Sequence, residues 1–121
     1  MSKQAAYADY LPAIKARWQA RQASWAARRQ QAWGAARQIA ALLRARYGAE
    51  QVIAFGSLTH DGPFDAHSDI DLAVTGIPTA DFFRAYAEAM SLAGEFKLDL
   101  LDLADCPPSV QTAVLKQGIP L

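Results

Sequence analysis

Cysteine is almost missing from this chain of 121 residues; Cys106, which stands before a double proline, is the only one. A disulfide framework within the chain is therefore excluded, and with it a zinc centre built on thiolates. Cys106 reads as a small apolar residue, and the composition suits a reducing compartment. Histidine is scarce too. His60 and His67 both fall in a polar stretch, where a solvated side chain is the ordinary reading and a metal ligand is not. No run is long and apolar enough to span a bilayer. Met1 to Arg17 carries charge and no long apolar segment, so no signal peptide is expected and a cytoplasmic location is.

Acidic residues are absent from the first third of the chain apart from Asp9. Residues 1–47 carry nine lysines and arginines against that one aspartate, a net +8. Residues 48–121 carry a net −8, so the zero overall charge conceals a segregation. A solvated helical face beside an acidic domain accounts for this, because arginine and glutamine are good helix formers. Contact with phosphate, nucleic acid or an acidic partner is the sharper alternative. The acidic second half argues against nucleic acid.

The residues that are present divide the chain in two: a basic, Trp-containing helical arm over 1–48 and a core over 49–121. Ala, Arg, Gln, Leu and Trp dominate from Asp9 to Tyr47, and Pro12 suits a first helical turn, which puts the helix start near Asp9 to Leu11. Leu11, Ile14, Trp18, Trp25, Trp33, Ala36, Ile39 and Leu43 recur at helical spacing, with weak points at Arg21-Gln22 and Arg28-Arg29. The tryptophans read as packing or interface residues rather than a base-stacking platform. One unbroken helix here would run on the order of 55 Å. Part of it must project, bend (Ser24 could cap a second helix) or pack on another chain, which leaves open a homo-oligomer through this helix.

The core reads as strand, loop, strand, helix, strand, helix. Val52-Ile53-Ala54-Phe55 is a buried strand, with a short helix expected just after Ser57. Asp69 to Thr75 alternates, with Asp69, Asp71, Ala73 and Thr75 on one face. Thr79 is expected to cap a helix to Ala93 that buries Phe82, Phe83, Tyr86 and Met90. Phe96 to Leu103 is the third strand. Pro107-Pro108 opens the last helix and Gly118 closes it. The fold class is α/β, with a small mixed sheet flanked by helices.

Three aspartates lie in these otherwise apolar strands. Aspartate is a poor strand former and is rarely buried without a partner. Asp69 and Asp71, two apart, project from one face with Cα atoms about 6.5–7 Å apart. Carboxylates that close repel unless a cation lies between them, and Mg²⁺ favours carboxylates with phosphate oxygens. Asp99 completes the set if its strand neighbours theirs; it would then hold a second ion or accept a proton from an incoming hydroxyl. Asp102 points to the other face. Gly56-Ser57 follows the first strand directly, where glycine lets the backbone approach an anion and the next amides can donate to a triphosphate.

Taken together, Val52-Ile53-Ala54-Phe55-Gly56-Ser57-Leu58, Ser68-Asp69-Ile70-Asp71-Leu72-Ala73-Val74 and Leu98-Asp99-Leu100-Leu101-Asp102-Leu103 resemble the minimal nucleotidyltransferase (MNT) family of the DNA polymerase β-like superfamily. The ending Lys116-Gln117-Gly118-Ile119-Pro120-Leu121 is similar as well. The resemblance covers about residues 50–121. It implies a nucleotidyltransferase fold, nucleotide phosphates held by Gly56 and Ser57, and two Mg²⁺ ions held by Asp69, Asp71 and Asp99, with ATP as substrate. The eleven residues Leu58 to Ser68 between the turn and the aspartate pair are slightly more than usual. Thr59-His60-Asp61 also stands where a basic residue often follows the turn. Many members of the family resemble the antitoxin of a two-component system whose partner is a HEPN-type ribonuclease, silenced by AMP transfer to a tyrosine. The expectation is therefore an Mg-dependent nucleotidyltransferase acting as antitoxin. The alternative is a catalytically weak or inactive module that neutralises its partner by binding alone. For transfer to a small molecule such as an aminoglycoside, the chain lacks the length of a substrate-binding domain.

Overall fold

The computed structural model describes residues 3–121, and the surroundings of side chains from Tyr10 onward. The charges of Lys3 and Asp9 lie outside the described side chains. The elements, in order, are α1 (Lys3–Tyr47), β1 (Gln51–Phe55), β2 (Ile70–Thr75), α2 (Thr79–Ala93), β3 (Leu98–Asp102), α3 (Pro108–Gln117) and β4 (Ile119–Pro120). Four strands form one mixed sheet in the order β3-β2-β1-β4. β1 is antiparallel to β2 and β4, whereas β2 and β3 are parallel, with α2 as the crossover. The α/β class with a small mixed sheet is borne out.

Alternation along the strands gives the sheet two unlike faces. Val52, Ala54, Ile70, Leu72, Val74, Leu98 and Leu100 join one apolar cluster, which α1 and α2 close. From α1 it takes Ala32, Ala36, Ile39, Ala40 and Leu43, all 2% exposed or less. Arg46 of α1 pairs with Glu88 of α2 at 3.0 Å. The other face holds a smaller cluster of Ile53, Ala73, Leu103 and Val114, covered by α3 with Phe55 and Val110 packed against it.

Three expectations change. α1 starts at Lys3 and runs unbroken past Ser24, with Pro12 inside it. Its 45 residues span roughly 67 Å at ~1.5 Å each. The arginines that weaken its apolar stripe meet aromatic rings from far along the chain: Arg28 lies over the Phe96 ring at 4.7 Å and Arg29 over Phe64 at 5.3 Å. Thr79 is the first residue of α2 and caps nothing; Pro78 occupies the N-cap with no side-chain bond. Finally, α2 buries Ala85, Ala89 and Ala93 and leaves Phe83 84% and Met90 55% exposed. The small alanines let α1 approach closely, and that contact fixes the helix phase. Phe82 and Tyr86 pack partly against the core as expected.

Packing of this kind separates buried from bare positions sharply. Ile39→Ala should cost about 2–4 kcal/mol in urea unfolding, because a fully enclosed side chain leaves a cavity. Phe83→Ala should stay within about 0.5 kcal/mol of the unmodified chain. Equal losses at the two positions would contradict the assigned helix faces.

Candidate functional site

The site is assembled at one end of the sheet, where β1 ends and β2 and β3 begin. Antiparallel register sets Phe55 opposite Asp71, and parallel register sets Asp71 opposite Asp99. Asp69 immediately precedes β2. Asp71 alternates with Leu72 and shares its face with Ala73, which packs in the α3-side cluster. The aspartates thus occupy the face away from α1. Two bonds fix the start of β3: Ile70 N donates to Lys97 O at 2.9 Å, and Tyr86 Oη of α2 donates to Leu98 O at 2.8 Å.

Gly56 turns the chain out of β1 with φ +69°, a left-handed conformation that L side chains rarely adopt. A Cβ here would overlap Asp71 Oδ2. Glycine is thus required twice, for the turn and for the room beside the carboxylate. Gly56–Thr59 then forms the short 3₁₀ turn expected after the strand. Thr59 Oγ1 donates to Gly56 O at 2.9 Å, and His60 N donates to Ser57 O at 3.3 Å. Ser57 and His60 are exposed. A cleft of about 350 Å³ opens between this turn and α3, with Phe55, Val110 and Ala113 among its walls and His60 and Gln117 among its polar groups.

The three carboxylates are coupled through charge. Burial pushes the half-buried Asp71 carboxyl up to about 6, and the negative charges of Asp99 and then Asp69 push it the same way. Lys97 opposes them. Lys97 stands two residues before Asp99, and strand alternation places it on the same face, a signal present in the sequence. Among the described residues, no three carboxylate, imidazole or thiol groups converge on one point as the side chains stand. Asp69, Asp71 and Asp99 are neighbours in register and in charge rather than a closed cage. Their all-oxygen donor set, next to space held open by Gly56, fits a hard divalent cation.

Two further acidic residues of this region, Asp102 and Asp65, accept bonds that shape the local chain. Asp102 caps the 3₁₀ turn Leu103–Asp105 by accepting from Ala104 N at 3.2 Å. Asp65 accepts from His67 N at 2.9 Å and shapes the loop. Cys106 is half-buried and donates to Asp102 O at 3.4 Å. No described helix is long and apolar enough to cross a membrane.

Comparison with known proteins places this arrangement. The family described as polymerase beta, nucleotidyltransferase matches residues 37–121. A solved structure described as a minimal nucleotidyltransferase is 27% identical, with a TM-score of 0.64, over 77% of this chain and 95% of that one. A second, a mutant of the MntA-HpeT toxin–antitoxin, is similar in fold at 22% identity and a TM-score of 0.56, over 70% of each chain. No curated protein matches. The order of turn, paired aspartates and third aspartate across one sheet end therefore has the family's fold around it, and the chain belongs to the polymerase β-type nucleotidyltransferases.

Proposed function

We propose that this chain transfers AMP from ATP to a tyrosine of a HEPN-type toxin partner, in an Mg²⁺-dependent reaction, and so acts as an antitoxin. One observation carries the reading. Across the sheet the order is Gly56-Ser57 at the end of β1, Asp71 on β2, and Asp99 on the outermost strand β3. That order matches the three parts of an in-line displacement: a grip for the leaving phosphates, a centre of negative charge for cations, and an acid–base group at the open edge.

In this reading Ser57 and the first amides of its turn hold the β- and γ-phosphates. Asp99 takes the proton of the incoming tyrosine hydroxyl. The phenolic oxygen forms a bond to the α-phosphorus, the bond to the bridging oxygen breaks, and pyrophosphate leaves on the Gly56-Ser57 side. Asp69, Asp71 and Asp99 would hold Mg²⁺, whose charge offsets that building up on the phosphates. Lys97 adds a positive charge beside Asp71. Use of ATP places the reaction in the cytoplasm.

A second reading, neutralisation by binding alone, is favoured by the carboxylates' failure to converge as they stand and by Thr59-His60-Asp61 in place of a basic residue. Substitution separates the two. With α-labelled ATP, Mg²⁺ and the adjacent gene's product as acceptor, the unmodified chain should add one AMP per modified tyrosine, read by intact mass. Asp71→Asn or Asp99→Asn should slow transfer roughly 100-fold or more, with the complex intact. Undiminished neutralisation by Asp71→Asn would establish binding alone as the mechanism.

Asp71 also links the site to stability. Its folded value of about 6 lies above the ordinary carboxyl value, so the folded state binds the proton more tightly. The stabilisation is complete below the unfolded value, near pH 4, and is lost as pH rises through about 6. At pH 7 and without divalent cations, Asp71→Asn should therefore be more stable than the unmodified chain by about 1 kcal/mol, after allowance for solvent screening. Millimolar Mg²⁺ with ATP should raise the Tm of the unmodified chain and leave Asp71→Asn nearly unmoved. A less stable Asp71→Asn, or an equal Mg²⁺-ATP response, would contradict this account.

A further inference from the structure

Two adjacent arginines of α1 reach into the domain where β2 and β3 begin. Arg28 makes three contacts there. Its Nε donates to Asp65 O at 3.0 Å, its Nη1 lies 3.4 Å from Glu95 Oε1, and its guanidinium lies 4.7 Å from the centre of the Phe96 ring. Arg29 donates to Gly62 O and lies 5.3 Å from the centre of the Phe64 ring. The two rings are 6.4 Å apart, and Phe64 is fully enclosed.

The contacts of Arg28 fall on two separate segments, and each leads directly to a carboxylate. Asp65 O also accepts from Ser68 N at 3.1 Å, and Ser68 Oγ accepts from Asp65 N at 3.1 Å. That closed turn ends one residue before Asp69. Glu95 and Phe96 open the segment that runs through Lys97 into β3 and on to Asp99. Between the two segments, Ile70 N donates to Lys97 O at 2.9 Å, where the β2–β3 ladder starts. Parallel pairing is slightly the weaker kind of ladder, and β3 is an outermost strand with a single neighbour. A planar guanidinium presents several donors in a fixed fork, so one side chain can hold both segments at once.

We propose that Arg28 is a positioning residue for the carboxylates: it ties the turn that delivers Asp69 to the segment that delivers Asp99, and so sets how the two strands begin relative to each other. It does so from α1, which closes the opposite face of the sheet. Arg29 supports the same loop through its own bond at Gly62. The basic arm is thereby part of the site, although both arginines lie before residue 37, where the match to the nucleotidyltransferase family begins. A neutral, flexible side chain at position 28 would remove a charge-assisted donor from Asp65 O and free the two strand starts to move independently. The role toward the carboxylates rests on the transfer reaction proposed above; the tie between the two segments does not.

Amide hydrogen exchange on the full chain, read by NMR, tests the tie. Arg28→Met should speed exchange at the Ile70 amide about tenfold, the effect of losing one bond to a charged donor. The Glu50 amide, which donates to Thr75 O at 2.8 Å at the far end of the sheet, should be unchanged. Arg28→Lys keeps the charge over the ring and gives up the fork, so it should fold as the unmodified chain does and speed Ile70 alone, by about threefold. Equal acceleration at Ile70 and Glu50, or none at Ile70, would overturn the proposal, because general loosening is not positioning. In AMP transfer with Mg²⁺, Arg28→Met should lower kcat about tenfold. KM for ATP should stay within about twofold, because Gly56 and Ser57 are untouched. An unchanged kcat would also overturn the positioning role. Transfer missing from the unmodified chain, with the Ile70 response as expected, would reject the reaction and leave the tie standing.

Discussion

The pairing of β2 with β3, in parallel and in the register that sets Asp71 beside Asp99, is the constraint on which the candidate site depends. The aspartates are far apart in the chain, and only the α2 crossover brings them to adjacent strands. A shift of one residue would turn Asp99 to the closed face among Leu98 and Leu100 and break the charge coupling. That register is held by burial of Ile70, Leu72, Leu98 and Leu100 on the closed face and by the Tyr86 hydroxyl on Leu98 O. The apolar face therefore determines where the acidic face points.

The two faces divide the work. α1 and α2 close one of them and supply most of the burial that stabilises the fold. α3 covers only part of the other, which leaves acidic side chains at its uncovered end. Burial of Asp71, and then the neighbouring charges of Asp99 and Asp69, disfavour its ionised form and raise its proton affinity, so this end costs stability at neutral pH in the absence of a cation. Gly56 belongs to the same compromise, since any side chain in its place would fill the space beside Asp71.

Much of this was legible in the sequence, for local reasons. Asp69 and Asp71 announce a shared face through their spacing, Gly56-Ser57 marks a turn after a buried run, and Pro107-Pro108 with Gly118 bounds α3. What was not legible depends on distant partners. Arg28 and Arg29 looked like breaks in the α1 stripe because Phe96 and Phe64, which receive them, lie far along the chain. Of the large α2 side chains expected to be buried, Phe83 and Met90 are exposed, because close helix contact selects Ala85, Ala89 and Ala93, while Phe82 and Tyr86 pack partly against the core. β4 was missed because its two residues become a strand only by pairing with Ile53 and Ala54. Lys97 carried a usable signal, its spacing from Asp99, that attention to carboxylates alone overlooks.

The most direct test of the central claim uses Mn²⁺ in place of Mg²⁺, added with ATP to isotopically labelled protein, with paramagnetic broadening read residue by residue. The account predicts broadening centred on the amides of Gly56, Ser57, Asp69 to Asp71 and Asp99, and its loss from all of them together in Asp71→Asn. Broadening centred elsewhere, or a pattern indifferent to Asp71→Asn, would contradict a cation-dependent nucleotide site at this end of the sheet.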